Sequence, residues 1–319
     1  MKPFPLILES IKDLTKGQVQ DVFKLAKSFK DGSEPEGLPF SSKEKDFTSN
    51  PHFTSKTPLI ATFFQEPSTR TKNSFAIAAK RLKTDYVDLA PQFSSLKKGE
   101  DLEQTFITLK YQGVNLLICR SPLEKISSRV KIPNVAYING GDGKNEHPTQ
   151  ALLDAFSILE SGLDLSKTTI ALIGDVLHSR VAHSLMKLIP ELGGKIVICG
   201  PSDWLPKGDL GPSIESVSSL EEAISRADIL YPLRIQKERH KNTVQNEDYF
   251  IKHFKVSLKK LKEMDKKPLI FHAGPFNIGV EIDQDLLDSP LFQAYNQIEN
   301  SIYIRMSIIQ LMLQASRQS

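Results

Sequence analysis

The sequence predicts an α/β protein with two doubly wound parallel-sheet domains joined by a linking helix, and a C-terminal helix packing back on the first domain. Three observations carry that expectation. Short apolar, β-branched runs alternate with helical-period segments from about residue 59 onward, as right-handed parallel βαβ units require. The alternation restarts after Gly162-Leu163-Asp164. Finally, Gln297–Ala315 places Ile298, Ile302, Met306, Ile309 and Leu313 along one side of a helix, which must dock on something. The length of 319 residues, near twice the ~150 of a common domain, fits two domains with sizeable cores.

The elements follow in order. Leu59–Phe64 reads as a strand and Asn73–Lys83 as the helix after it. Tyr86–Leu89 is a strand, and Glu100–Gln112 is a helix with Leu102, Phe106 and Leu109 on one face. Val114–Cys119 and Val135–Asn139 are buried strands. Pro148–Ser161 is a helix with proline in its tolerated first turn. In the second half, Thr168–Ile173, Lys195–Cys199, Ile229–Leu233 and Pro268–Phe271 read as strands. Ser179–Leu192, closed by Gly193-Gly194, and Leu220–Arg226 read as helices. Asp31–Ser55 and Gln236–Asn246 are polar, interrupted and read as loops or lids. The boundary falls near residue 150, giving domains 1–150 (completed by about 296–319) and 151–295.

Composition excludes several classes. With 39% hydrophobic and 25% charged residues the chain is neither disordered nor tailed. Forty-one Lys and Arg against 38 Asp and Glu leave a net charge of +3, too little to argue for nucleic acid. No apolar run approaches the roughly 18–20 residues of a membrane span. The start, Met1-Lys2-Pro3-Phe4-Pro5, lacks a signal-peptide core. Cys119 and Cys199 lie inside β-like runs and read as small buried hydrophobes. The expectation is a soluble, cytoplasmic protein.

In open parallel sheets, ligands bind beyond the carboxyl ends of the strands. Six segments occupy such ends: Gln65–Ser74, Arg120, Gly140–Gln150, Gly174–Arg180, Arg234–Arg239 and His272–Gly279. Glu66-Pro67-Ser68-Thr69-Arg70-Thr71 sets three hydroxyls and a guanidinium at the opening of a helix. Free backbone N–H groups and the positive helix end there make a phosphate cradle. An ordinary Ser/Thr cap beside a surface arginine is the competing reading. His147, just before Pro148, would be held neutral by the helix terminus and could polarise a carbonyl; on these residues alone, a capping histidine beside a Gly turn takes precedence.

Arg180 in a first helical turn and Arg234 at a strand end suit anions, although either alone is more often a solvated or ion-paired surface residue. Ser94–Glu100 is a basic loop or a plain exposed turn. The chain has no Gly-x-Gly-x-x-Gly and no Gly-x-x-x-x-Gly-Lys-Ser/Thr, which disfavours a nucleotide-binding or dehydrogenase-like protein. It also lacks His-Glu-x-x-His, Cys-x-x-Cys, and Gly-x-Ser-x-Gly. What remains suits group transfer between two small anionic substrates by positioning and electrostatics.

Six motifs in register make these residues recognisable. Ser68-Thr69-Arg70-Thr71 with Ser74-Phe75, Lys98-Gly99-Glu100, and Gly141-Asp142-Gly143 through His147-Pro148-Thr149-Gln150 come first. Gly174-Asp175 with Ser179-Arg180-Val181, Arg234-Ile235-Gln236-Lys237-Glu238-Arg239, and His272-x-Gly-Pro with Gly279-Val280-Glu281-Ile282 follow. Together they resemble the aspartate/ornithine carbamoyltransferase family over nearly the whole chain, and its aspartate-specific catalytic chains in particular.

That resemblance implies transfer of the carbamoyl group of carbamoyl phosphate to the amine of L-aspartate, giving N-carbamoyl-L-aspartate and phosphate, an early step of de novo pyrimidine biosynthesis. It implies a carbamoyl phosphate-binding first domain and an aspartate-binding second one. Ser68, Thr69, Arg70 and Thr71 would hold the phosphate, while Thr71, Arg120 and His147 would polarise the carbamoyl oxygen. Gln150 and the carbonyls around Gly274-Pro275 would hold the carbamoyl amino group. Arg180 and Arg234, helped by Gln236, would bind the aspartate carboxylates. The Ser95–Lys98 loop would enter a neighbouring subunit's site, so a homotrimer is implied, with Ser95 and Lys98 acting in trans. No cofactor, metal, nucleic acid or membrane is implied; a regulatory chain or another pathway enzyme is left open as a partner.

An ornithine enzyme is the alternative within the family, and a catalytically silent homologue acting as a partner module is the alternative outside catalysis. Against ornithine stand His272-Ala273-Gly274-Pro275 in place of His-Cys-Leu-Pro, Lys98 in a basic loop, and two arginines suited to a dicarboxylate. Against a silent homologue stands the intact set of Arg70, Thr71, Lys98, Arg120, His147, Arg180 and Arg234. The chain departs from the family at Ala273, where proline is common, at Ile278, where arginine is common, and at Glu146, where glutamine is usual. Losing the proline should loosen the carbonyl-presenting turn, and a carboxylate beside His147 should favour its protonated form.

Overall fold

Residues 3–32, 57–90, 98–132, 134–235 and 243–318 are described by the computed structural model. The chain divides into two units, Met1–Leu153 with Glu299–Ser319, and Asp154–Ile298. The first carries β1 (Ile7–Leu8), α1 (Lys16–Lys30), β2 (Leu59–Phe64), α2 (Thr69–Arg81), β3 (Asp85–Leu89), α3 (Leu102–Tyr111), β4 (Val114–Ser121), α4 (Ile126–Arg129) and β5 (Ala136–Asp142). Helix α5 (Pro148–Glu160) follows, and the division between the units falls inside it. The strands pair in the order β1-β5-β4-β2-β3, every pair parallel.

Strands β2 and β4 are central and almost wholly buried, which is why they read as continuous apolar runs. Their side chains join Phe106 and Leu109 of α3, with the Phe63 and Phe106 rings packed edge to face at 6.1 Å. Two short β-strands went unforeseen, for different reasons. β1 has only two residues, and its Ile7 is exposed. The other, Ile214–Val217 in the second unit, is an edge strand with two exposed side chains.

The second unit carries β6 (Thr169–Ile173), α6 (Arg180–Glu191), β7 (Lys195–Cys199), β8 (Ile214–Val217), α7 (Leu220–Arg226), β9 (Ile229–Pro232), α8 (Thr243–Phe254), α9 (Leu258–Glu263) and β10 (Leu269–Ile270). Its order is β10-β9-β6-β7-β8, again all parallel. Trp204, Phe250 and Phe254 stack in its core, with successive ring centroids 5.6 and 5.8 Å apart. Where β6 and β7 end, the backbones close tightly: a Cβ on Gly200 would lie 2.6 Å from the Gly174 carbonyl oxygen.

Several boundaries differ from expectation. α2 begins at Thr69 rather than Asn73, so Arg70 and Thr71 belong to the helix itself. β5 continues through Gly140 and Gly141 to Asp142. The segment 236–246 is not all loop, since α8 starts at Thr243; residues 236–242 lie outside the described residues. Most of Asp31–Ser55 does too.

Helix α10 (Ala294–Gln318) returns to the first unit from Glu299 onward. It is not the one-sided amphipathic helix the spacing implied. Ile298 is exposed, whereas Asn300, Ser301, Arg305, Ser307 and Gln310 are buried with the apolar residues. A helix enclosed on nearly all sides needs partners for its polar groups, and Asn300 finds one in the Lys30 ammonium at 2.9 Å. Among the described residues, no helix is long and apolar enough to cross a membrane.

Both cysteines are buried and unpaired. Burial pushes the Cys199 thiol up from 9.0 to about 12 and raises Cys119 as well. A protonated, enclosed thiol is a poor nucleophile. The folded protein is therefore expected to resist a maleimide at pH 7.5, with both thiols labelled on unfolding, as mass spectrometry will read. The folded state keeps these protons while an unfolded chain loses them above pH 9, so stability should also fall as pH rises from 9 toward 12.

Candidate active site

The carboxyl ends of β2, β4 and β5 assemble the first unit's polar centre. Between Cys119 and Ser121 the β4–β5 register shifts by one residue, so Arg120 faces the pair Gly140-Gly141. Such a bulge bends the strand and re-aims a side chain. Gly141 makes it feasible, adopting φ 113°, with its N–H donating to Asn139 Oδ1 at 2.8 Å.

Arg120 reaches the start of α2. Its Nε donates to Glu66 Oε2 and its Nη1 to Ser68 Oγ, each at 3.2 Å. Ser68 occupies the N-cap position but makes no capping hydrogen bond with its side chain. The hydroxyl is turned toward Arg120 instead, which argues against the plain capping reading. Thr71, one turn on, is buried and lies with Oγ1 3.3 Å from His147 Nε2. Ser74 Oγ donates back to the carbonyls of Arg70 and Thr71 at 2.7 and 2.9 Å, tying down the first turn. Thr69 is exposed and Arg70 half-buried at that same helix end.

His147 immediately precedes α5, and Gln150 follows in its first turn, its N–H donating to the His147 carbonyl at 3.0 Å. The Glu146 carboxylate, beside His147 in the chain, holds the N-terminal segment, accepting from Ser10 Oγ at 2.6 Å and from the Ile11 N–H at 3.1 Å. Nearby, Glu9 receives the N–H groups of Ile126 and Ser127 at 3.1 and 2.9 Å. Burial, more than Asp142 beside it, raises the Glu9 carboxyl.

In the second unit Arg180 is the first residue of α6, whose N-cap Ser179 accepts from the Ala182 N–H at 3.2 Å. Asp175 is buried and fixes the preceding loop through His178, whose backbone N–H and Nδ1 lie 3.1 and 2.9 Å from Oδ1. Arg234 is half-buried two residues beyond β9. Gly274 and Pro275 form a surface turn, with the Gly274 N–H donating to His272 Nδ1 at 2.8 Å.

The structure thus brings Arg120 to Ser68 and Thr71 to His147. Lys98 is exposed, and Ser95 and Gln236 lie outside the described residues. Glu66 and Ser74 organise this centre and were passed over as site residues, although both sit inside the motif that revealed it. Among the described residues, no three His, Cys, Asp or Glu side chains gather as a metal site.

Fold and site define a protein of two parallel-sheet α/β units that gathers cations, hydroxyls and a histidine at the carboxyl ends of its strands. Residues 8–160 match the model of the aspartate/ornithine carbamoyltransferase carbamoyl-P binding domain, and residues 166–312 that of the Asp/Orn binding domain. The chain belongs to the aspartate/ornithine carbamoyltransferase family. It is 39% identical to the aspartate carbamoyltransferase catalytic subunit of Thermus aquaticus over 251 residues, 78% of this chain and 83% of that one. With the catalytic subunit of Listeria innocua it shares 33% over 307 residues, 96% and 95% of the two chains. It is also similar to the crystal structure of Trypanosoma cruzi aspartate transcarbamoylase in complex with carbamoyl phosphate and aspartate. The TM-score is 0.79 at 25% identity, covering 95% of each chain.

Proposed function

We propose that this protein transfers the carbamoyl group of carbamoyl phosphate to L-aspartate. The observation that carries the reading is the pair of contacts at the start of α2, Arg120 to Ser68 and Thr71 to His147. One pair supplies donors for a phosphate at a helix N-terminus, the other donors for an oxyanion beside it.

In this reading Ser68, Thr69, Arg70 and Thr71 hold the phosphate, and Thr71, Arg120 and His147 stabilise the charge on the carbamoyl oxygen. Gln150 and the carbonyls at Gly274 and Pro275 accept from the carbamoyl amino group. Arg180, Arg234 and Gln236 bind the two carboxylates of aspartate, giving the first unit the carbamoyl phosphate and the second the amino acid. The aspartate amine attacks the carbamoyl carbon and forms a C–N bond. The tetrahedral centre then collapses, the C–O bond to phosphate breaks, and the departing phosphate takes the amine proton. Binding energy spent on holding two anions in line is what accelerates such a step. The working assembly is a homotrimer in which Ser95 and Lys98 serve a neighbouring subunit, and the two unpaired buried cysteines suit a reducing cytoplasm.

The test is colorimetric detection of carbamoylated product from carbamoyl phosphate with aspartate and, in parallel, with ornithine. Product is expected from aspartate alone. Arg180→Ala and Arg234→Ala should each raise the KM for aspartate tenfold or more, the loss of a charge-assisted contact worth roughly 1.5–3 kcal/mol. The KM for carbamoyl phosphate should change far less. Absence of product with aspartate, or equal rates with ornithine, overturns the assignment.

A further inference from the structure

The Gly274–Pro275 turn lies at the surface, and a buried chain of hydrogen bonds leads away from it. Asp154 in α5 is fully buried and accepts from two sides, from Tyr231 Oη of β9 at 2.9 Å and from Gln297 Nε2 of α10 at 2.6 Å. Gln297, 2% exposed, passes the link on, its Oε1 accepting the His272 N–H at 2.8 Å. His272, 3% exposed, accepts the Gly274 N–H on Nδ1. The remaining ring proton therefore sits on Nε2, which faces Glu281 Oε1 at 3.4 Å. Glu281, fully buried, accepts the Asn277 N–H at 2.6 Å and so holds the far side of the same turn.

Tyr231, Asp154, Gln297 and His272 are joined by hydrogen bonds, whereas His272 Nε2 and Glu281 Oε2 are buried without one; the bonded part holds backbone rigidly. The His272 ring is further set edge-on against Phe276, with centroids 5.1 Å apart. These bonds grip the turn on both sides of Ala273, and they stand where the loss of proline was expected to loosen it. The grip comes from N–H groups. Once Gly274 and Asn277 spend their N–H groups inward on His272 and Glu281, the turn's orientation is set from behind.

We propose that His272 and Gln297 are positioning residues that hold the Gly274 and Pro275 carbonyls in place to select an amino group over a methyl group on the carbonyl carbon of the phosphate substrate. The inference rests on the proposed function above and deepens it. A site built to accept from an N–H rejects the analogue that lacks it, because the acceptors are left unpaired.

Phosphonoacetamide and acetonylphosphonate test it. These stable phosphonates differ only in amino against methyl, and calorimetry on the full chain gives Kd for both without turnover. The wild type is expected to prefer phosphonoacetamide at least tenfold. His272→Leu and Gln297→Met should erase most of that preference by weakening phosphonoacetamide, while acetonylphosphonate binding stays within about twofold. His272→Asn, whose amide oxygen can replace Nδ1 as acceptor, should restore most of it. Should the Leu variant fail to fold, Tyr231→Phe, which removes one hydroxyl at the end of the chain, should still shift the preference in the same direction. Equal weakening of both phosphonates, or an unchanged ratio, overturns the positioning role. If neither phosphonate binds the wild type, the proposed function itself fails.

Discussion

Arg70→Ala and His147→Ala should each lower kcat by about 10²-fold, the cost of removing one preorganised donor to a developing charge. Arg70 lies in the first turn of α2, where the helix dipole already favours an anion. Its guanidinium adds a full charge there, and Ser74 holds its backbone in place. His147 contacts Thr71 at 3.3 Å and is 3% exposed, so its replacement also leaves a buried hydroxyl short of a partner. Steady-state kinetics on both variants checks this, with circular dichroism to establish folding. For His147→Ala the loss should fall on kcat more than on KM, since an oxyanion donor acts most in the transition state. Near-wild-type turnover in both folded variants contradicts the assignment.

Arg305→Ala should destabilise the first unit by about 3–5 kcal/mol, in the range of the largest core truncations. Arg305 is 1% exposed, in the part of α10 that belongs to the first unit. Its guanidinium lies 4.9 Å from the centroid of the Phe75 ring, and Nη1 donates to Ser74 Oγ. Alanine leaves a large cavity over Phe75 and removes both the cation–π contact and the hydrogen bond. Arg305→Met keeps most of the volume and should cost less. Fluorescence is the wrong probe, because the single tryptophan, Trp204, lies in the other unit. Hydrogen exchange in β2 and β4 reports directly, and unchanged protection there in the Ala variant would refute the prediction. Because Ser74 also fixes the first turn of α2, a weaker affinity for phosphate should accompany the loss.

Most of the fold was legible because its strands are buried on both faces. Leu59–Phe64, Val114–Cys119 and Lys195–Cys199 announce themselves as apolar runs, whatever they pack against. Helix α1 was not among the expected elements, although it carried a signal: Thr15 and Gln18 form a capping box ahead of Val19, Val22, Phe23 and Ala26 at helical spacing. Arg305 carried none. An arginine in a helix reads by default as solvated, and only the packing around Phe75 makes it a core residue. The contact of Glu146 with Ser10 was equally invisible, since 136 positions separate the two residues in the chain.

What the sequence determined by itself was local: two runs of alternating strand and helix, and the polar motifs standing where strands end. A strand's termination, a helix's first turn and the residues at that junction all lie within a few positions of one another. Which of those groups meet was decided only in three dimensions. Thr71 reaches His147 across 76 positions, Asp154 reaches Gln297 across 143, and Ser74 reaches Arg305 across 231. Such contacts leave no periodicity to read. They form because parallel sheets and a returning helix carry distant segments to one place, where buried polar groups must find partners.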